Sequence, residues 1–228
     1  MKRIPASKKF LLIGEIHGVR ENLDILKCFI IPHLAKKKKI TVGFEWPARL
    51  SQEINDYISG KTKKIFPRKW KFAHNRDGRI SKEHVQFLSW LRKNKITVLC
   101  FDESLRSWNE RDRAMAQNLQ KASGNIIAIT GNLHARKRKF VLDKEKFVPL
   151  ASWLPPKQTV AIKINYLGGK FYNHRIQTIK RGLEKGSEAG FDYFCEVKEA
   201  HPVHPLDDRY PFRYNVAYGK YLLSDHRP

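Results

Sequence analysis

Cysteine is scarce: only three occur in the chain, Cys28, Cys100 and Cys195, and no pair shares a CxxC spacing. That excludes a disulfide framework and a cysteine-based zinc site, and apolar neighbours suit three reduced core thiols. Long hydrophobic runs are also missing. The apolar stretch from Phe10 to Ile13 falls far short of the roughly 20 residues that span a bilayer and is too short for a signal-peptide core. No lipid-attachment cysteine stands near the start. A cytoplasmic protein with no membrane partner is the expectation. The sequence contains no GxSxG elbow, no HExxH helix, no P-loop and no GxGxxG after a strand, which counts against serine hydrolases, zincins and NTPases.

Acidic residues are few beside basic ones, 22 against 45, leaving a formal net charge of +23. Such a field attracts anions, so a small-molecule or anionic substrate is expected. The cations gather in Lys36 to Lys39, in the stretch from Lys61 to Arg79, and in Ala135 to Lys139. The middle stretch interleaves Phe66, Trp70 and Phe72 with lysine and arginine, the mixture that single-stranded nucleic-acid binders use. Two readings stay open there: solvated surface, or non-specific nucleic-acid binding through basic patches. With 41% hydrophobic and 29% charged residues, the chain can bury a sizeable core. No linker divides it, so residues 1–228 read as one domain.

Phe10 to Gly14, Ile40 to Trp46, Ile96 to Phe101 and Asn125 to Thr130 are near-continuous apolar runs, and segments with helical spacing separate them. Ser81, three residues before His84, resembles a helix start with His in place of the usual Glu or Gln. The pattern predicts an α/β fold, a mainly parallel central sheet with helices on both faces. Beyond residue 150, Thr159 to Tyr166 alternates like a strand, Gly168-Gly169 turns toward Phe171-Tyr172, and Asp192 to Val197 returns to the sheet. A C-terminal β-hairpin edge is expected there.

Chemistry-bearing residues sit where those strands end. The first closes in Gly14-Glu15-Ile16-His17-Gly18 and the fourth in Gly131-Asn132-Leu133-His134, the same Gly-x-x-His spacing twice. Glu45 ends the second strand, and Asp102-Glu103 the third. Parallel sheets bind ligands just outside the carboxyl ends of their strands, so His17 and His134 can converge across 117 positions. Packing would call for apolar residues at these points; four ionisable strand ends argue for chemistry. Glu45 could instead cap the helix entered through Pro47, and Arg111 could be an ordinary helix-surface cation or reach across the cleft toward an anionic intermediate. His201-Pro-Val-His204 has a metal-like spacing, but with no third ligand nearby it reads as a surface loop.

At these residues the chain resembles the erythromycin esterase-like and ChaN-like superfamily, which also takes in the TraB and Tiki proteins. The matching pieces are GEIHG followed by Arg20 and Glu21, GFEWP around Glu45, the segment from Glu110 to Asn118, and GNLHA around His134. Together they span residues 10 to 135. The resemblance implies an α/β fold with a polar cleft holding Glu and His. Its branches hydrolyse macrolide lactones, cleave proteins with a metal (Tiki) or bind haem (ChaN). This chain is shorter than the erythromycin esterases, which tend to carry one more residue between the Glu and the His, and neither a Tiki-type anchor nor a ChaN-type lipoprotein signal is expected.

The resulting expectation is a hydrolase of an ester, lactone or amide. His17 is the general base, Glu15 and Glu45 orient it, and His134 and Arg111 stabilise the oxyanion. Arg20, Asp102 and Asn132 are expected to contact substrate. In the competing version, Glu15, His17, Glu45 and His134 hold a divalent transition metal that activates water. In a third version the same scaffold is a non-catalytic haem- or nucleic-acid-binding protein.

Overall fold

The computed structural model describes residues 8–70, 76–103, 107–142, 144–180 and 189–206. Along the chain come β1 (Phe10–Glu15), α1 (Glu21–Ala35), β2 (Ile40–Pro47), α2 (Ser51–Ser59), α3 (Lys82–Lys93), β3 (Thr97–Asp102), α4 (Trp108–Lys121) and β4 (Asn125–Gly131). Then follow α5 (Asn132–Ala135), β5 (Phe140–Leu142), β6 (Glu145–Phe147), β7 (Thr159–Tyr166), β8 (Lys170–Asn173), β9 (Arg175–Thr178) and β10 (Tyr193–Val197). Six strands form one sheet in the order β10-β7-β1-β4-β2-β3, and every pairing in it is parallel.

The apolar runs are continuous because both faces of this sheet are covered. Side chains alternate across the strand, so Phe10 and Leu12 pack with Met115 and Leu119 of α4 and with Leu150 and Leu154. Leu11 and Ile13 pack the other way, with Leu23, Leu26 and Ile30 of α1 and Phe87, Leu88 and Leu91 of α3. Burying each such side chain stabilises the fold by about 1.5–3 kcal/mol. Local signals agree with this packing. The Ser81 hydroxyl accepts the His84 backbone N–H (3.4 Å) and bonds the His84 ring at Nδ1 (2.9 Å), so histidine takes the place of the usual acid in the cap of α3.

The C-terminal hairpin is present and is formed by β8 and β9, which turn at Asn173 and His174. Gly168 and Gly169 lead into it from β7. The sheet edge on this side belongs to β10, which pairs with β7 in parallel, and the opposite edge to β3. A second hairpin joins β5 and β6. Cys100 and Cys195 are buried, and burial pushes both thiols up to about 12. Cys28 corrects the expectation of three core thiols: it is exposed, on the outer face of α1. Phe72, singled out in the sequence, lies outside the described residues. Among the described residues no helix is long and apolar enough to cross a membrane.

β1 and β4 lie side by side at the centre. The chain leaves β1 toward β2 on one side, and after β4 it continues to β7 on the other. That divergence opens a crevice at the carboxyl ends of β1, β4 and β2, the position where open parallel sheets bind ligands.

Candidate functional site

Glu15 ends β1, and the chain turns so that His17 comes back to it: His17 Nδ1 lies 2.5 Å from Glu15 Oε1. The Asn22 amide donates to the other Glu15 oxygen and to the Ile16 carbonyl. Tyr166, at the end of β7, donates its hydroxyl proton to Asn22 (2.5 Å). A relay from β7 through α1 thus fixes the pair.

Glu45, near the end of β2, is buried at the centre of the cluster. Its Oε2 accepts the Thr130 hydroxyl (2.6 Å) and the Gly131 N–H (2.9 Å); its Oε1 accepts Arg111 Nη2 (2.8 Å). His17 Nε2 stands 3.8 Å from Oε2, and His134 Nε2 stands 3.7 Å from Oε1. The capping role for Glu45 is therefore replaced by a bridging one. Asp102, ending β3, takes Arg111 Nε at 2.7 Å and Arg79 Nη1 at 3.0 Å. Glu103 turns to Asn118 instead (2.9 Å).

His134 occupies the single turn of α5. Its Nδ1 lies 2.7 and 2.9 Å from the two oxygens of Asp112, which has no exposed surface. The Leu150 N–H anchors that carboxylate in turn (2.6 Å). The His134 Nε2 faces the cluster, with Arg111 Nη1 3.4 Å away. The two imidazoles meet across Gly131, where an added Cβ would lie 3.5 Å from both His17 Nε2 and His134 Cδ2.

Burial alone would lower the pKa of His17, but the charges of Glu15 and Glu45 outweigh it and lift the ring to about 9. Burial pushes the Glu15 carboxyl up, against the pull of His17. Burial would also raise Glu45, yet His134, His17, Arg111 and Arg79 hold it well below the usual carboxylate range. His84, which lines a small cavity with Glu15, His17, Glu45, Trp46 and Arg79, is lowered to about 4 by burial. The cluster thus pairs an imidazolium with an ionised carboxylate in a low-dielectric setting, where such charges act strongly.

Glu15, His17, Glu45, Asp102, Arg111 and His134 come together in one cluster. Arg20 and Asn132 belong to the frame around the cleft. Arg20 precedes α1 and gives its backbone N–H to the His201 carbonyl (2.9 Å). The Asn132 amide oxygen would lie 2.8 Å from a Cβ on Gly14. Sequence reasoning missed Arg79, Asn22 and Tyr166, and gave Asp112 no role of its own. Only Asp112 left a signal, beside Arg111 in the first turns of α4.

His201 and His204 form a strap across the back of the GEIHG turn. His201 gives its backbone N–H (2.9 Å) and Nδ1 (2.8 Å) to Glu21 at the start of α1. His204 does the same to Glu83 at the start of α3. Between them, Val203 N–H bonds the Gly18 carbonyl (3.0 Å). Gly18 (φ 84°) and Gly78 (φ 82°) are required here, since Cβ atoms would meet the Tyr172 carbonyl oxygen at 1.9 Å and the Gly18 Cα at 2.4 Å.

A metal fits this donor set poorly. Both Glu15 oxygens are taken by His17 and Asn22, and both Glu45 oxygens by Arg111, Thr130 and Gly131. A cation would have to displace the Arg111 guanidinium. Among the described residues no group of three or more His, Cys, Asp or Glu is arranged to hold a metal ion. Trp70, for which the sequence left solvated surface and nucleic-acid stacking open, is core: it is buried against Trp46 (6.0 Å) and donates its indole N–H to both Glu53 oxygens at 3.0 Å.

The fold and cluster define an α/β protein with a Glu/His cleft at its strand ends. No family model and no curated protein matches the sequence. Solved structures do. A succinoglycan biosynthesis protein is 11% identical, with 87% of this chain and 90% of that chain aligned at a TM-score of 0.66. A Bacillus cereus protein is 12% identical, with 89% and 91% aligned at 0.66. ChaN of Campylobacter jejuni, solved with cofacial haem, is 14% identical and aligns over 70% of this chain and 82% of that one at 0.48. At such identities the first two likenesses define the fold alone.

Proposed function

We propose that the chain is a hydrolase of an ester, lactone or amide, working with two imidazoles and no metal. The observation that carries this reading is that His17 and His134 face each other across Gly131 with Glu45 between them. We assign their roles the other way round from the sequence expectation. His17, lifted to about 9, is protonated at neutral pH and suits an acid. Asp112 accepts the Nδ1 proton of His134, which leaves the Nε2 lone pair of the neutral ring facing Glu45 and the cleft, and Glu45 pairs with the imidazolium once that lone pair takes a proton.

In this mechanism a water beside Gly131 loses a proton to His134 Nε2 as its oxygen bonds the substrate carbonyl carbon. The His17 Nε2–H faces the developing oxyanion and then protonates the departing alcohol or amine as the scissile bond breaks. Solvent carries the proton from His134 back to His17. Glu45 stays ionised and orients both rings, and Arg111, neutralised by Glu45 and Asp102, positions Glu45. No step is assigned to Arg20 or Asn132.

The test is an ester, lactone and aryl-amide panel with the wild type, His17→Ala and His134→Ala. Turnover that falls by at least a hundredfold in both variants is expected, since general acid or base catalysis contributes roughly that much or more. Equal rates in all three would end the reading.

A further inference from the structure

Trp108 opens α4, yet about half of its surface is exposed (52%). Its other side is fixed in place. The indole stacks on the His134 imidazole, with centroids 5.9 Å apart and planes 21° apart, and meets the edge of Phe147 at 6.1 Å. The Arg111 guanidinium lies 5.9 Å from its ring. Phe147 in turn touches His134 (6.2 Å) and Phe140 (5.1 Å), and Arg136 lies over Phe140 at 4.5 Å. An aromatic row, Trp108-Phe147-Phe140, therefore backs His134, with a guanidinium at each end.

Nothing in the helix requires tryptophan at its first position, because Ser107 already caps it, accepting the Glu110 N–H at 3.2 Å. A rigid indole with one covered and one open face is instead the form that recognises flat rings, since offset stacking adds to simple burial. The net charge of +23 and the Arg136 guanidinium at the far end of the row suit a ring bearing negative charge. We propose that Trp108 is the wall that receives an aromatic ring of the substrate, an anionic aryl or heteroaryl ester or amide. This substrate class rests on the hydrolase reading; the ring-binding wall itself does not.

Binding can be measured without turnover. Benzylphosphonate and hexylphosphonate are stable anions differing in the ring, and titration calorimetry compares them on the wild type, Trp108→Phe and Trp108→Ala. The wild type is expected to bind the aryl probe roughly tenfold more tightly than the alkyl one. Trp108→Phe should keep most of that preference, and Trp108→Ala should lose it while still binding the alkyl probe. Equal affinities in the wild type, a preference that survives in Trp108→Ala, or no binding of either probe would overturn the proposal. Because Trp108 is exposed, melting curves should stay close to the wild type. A preserved aryl preference with no turnover of aryl esters would remove the hydrolase reading and leave the wall standing.

Discussion

Asp112 holds the His134 imidazole through both of its carboxylate oxygens, at 2.7 and 2.9 Å from Nδ1, from a position with no exposed surface. Asp112→Asn keeps the shape but removes the charge and replaces one of the two acceptors by an NH2 donor, so the ring tautomer is no longer fixed. Turnover should fall roughly 100- to 10,000-fold. The Leu150 N–H would also lose a charged partner, at a cost of about 1–3 kcal/mol. Steady-state kinetics beside chemical denaturation separates the two effects. Unchanged turnover would remove His134 from the mechanism.

Gly131→Ala is the sharpest probe of the cleft. The backbone there (φ −57°, ψ 146°) accepts any residue, and the nearest atoms to the new methyl are the two imidazoles at 3.5 Å. The fold should tolerate the change or gain about 0.4–1 kcal/mol from reduced unfolded-state entropy. Hydrolysis should nearly vanish, because the methyl occupies the place of the attacking water. A variant as active as the wild type would show that the reaction does not take place between the rings.

The charge on His17 sets a pH window. Its pKa is about 9 when folded against 6.5 when unfolded, so the stability it contributes is complete below pH 6.5 and is lost as pH rises through about 9. The advantage of wild type over His17→Gln, read from denaturation midpoints, should shrink across that interval. Activity should fall over the same upper range as the acid loses its proton. His84 works in the opposite window. Held near 4 when folded, it contributes stability above pH 6.5 that is lost as pH falls toward 4, so wild type should weaken there relative to His84→Gln.

Trp70 is buried, which makes Phe66, 53% exposed with Lys69 5.0 Å from its ring, the aromatic to test for nucleic-acid stacking. Phe66→Ala should leave single-stranded RNA affinity within about twofold, whereas a true stacking base contributes roughly 1–3 kcal/mol. Replacing Lys36 to Lys39 with serine should lower affinity and flatten the salt dependence by about 0.7 for each lysine that met a phosphate. Filter binding at several salt concentrations reads both. A large loss from Phe66→Ala would reveal a dedicated groove.

The sheet was legible because β1 to β4 are buried on both faces, which leaves contiguous apolar runs in the sequence. Glu15, Glu45, Asp102 and His134 were legible because polar residues interrupt those runs at their carboxyl ends. Arg79 was not, since a cation that bridges Asp102 and Asp77 looks the same in sequence as its solvated neighbours. Asn22 and Tyr166 meet across 144 positions, beyond any local pattern. Trp70 was ambiguous for a related reason. Aromatic residues among lysines have one composition whether the ring faces a base or, as here, a glutamate 17 residues earlier.

The His201–His204 strap bears on the order in which the site is completed during synthesis. A chain made from its N-terminus exposes Glu15, His17 and Glu45 early, but the segment that ties Gly18 to the starts of α1 and α3 is among the last of the described residues to leave the ribosome. Until then the turn that carries His17 lacks its clamp. A nascent chain stalled before residue 201 should bind substrate poorly even with every catalytic group already made, so competence would arrive late and in one step.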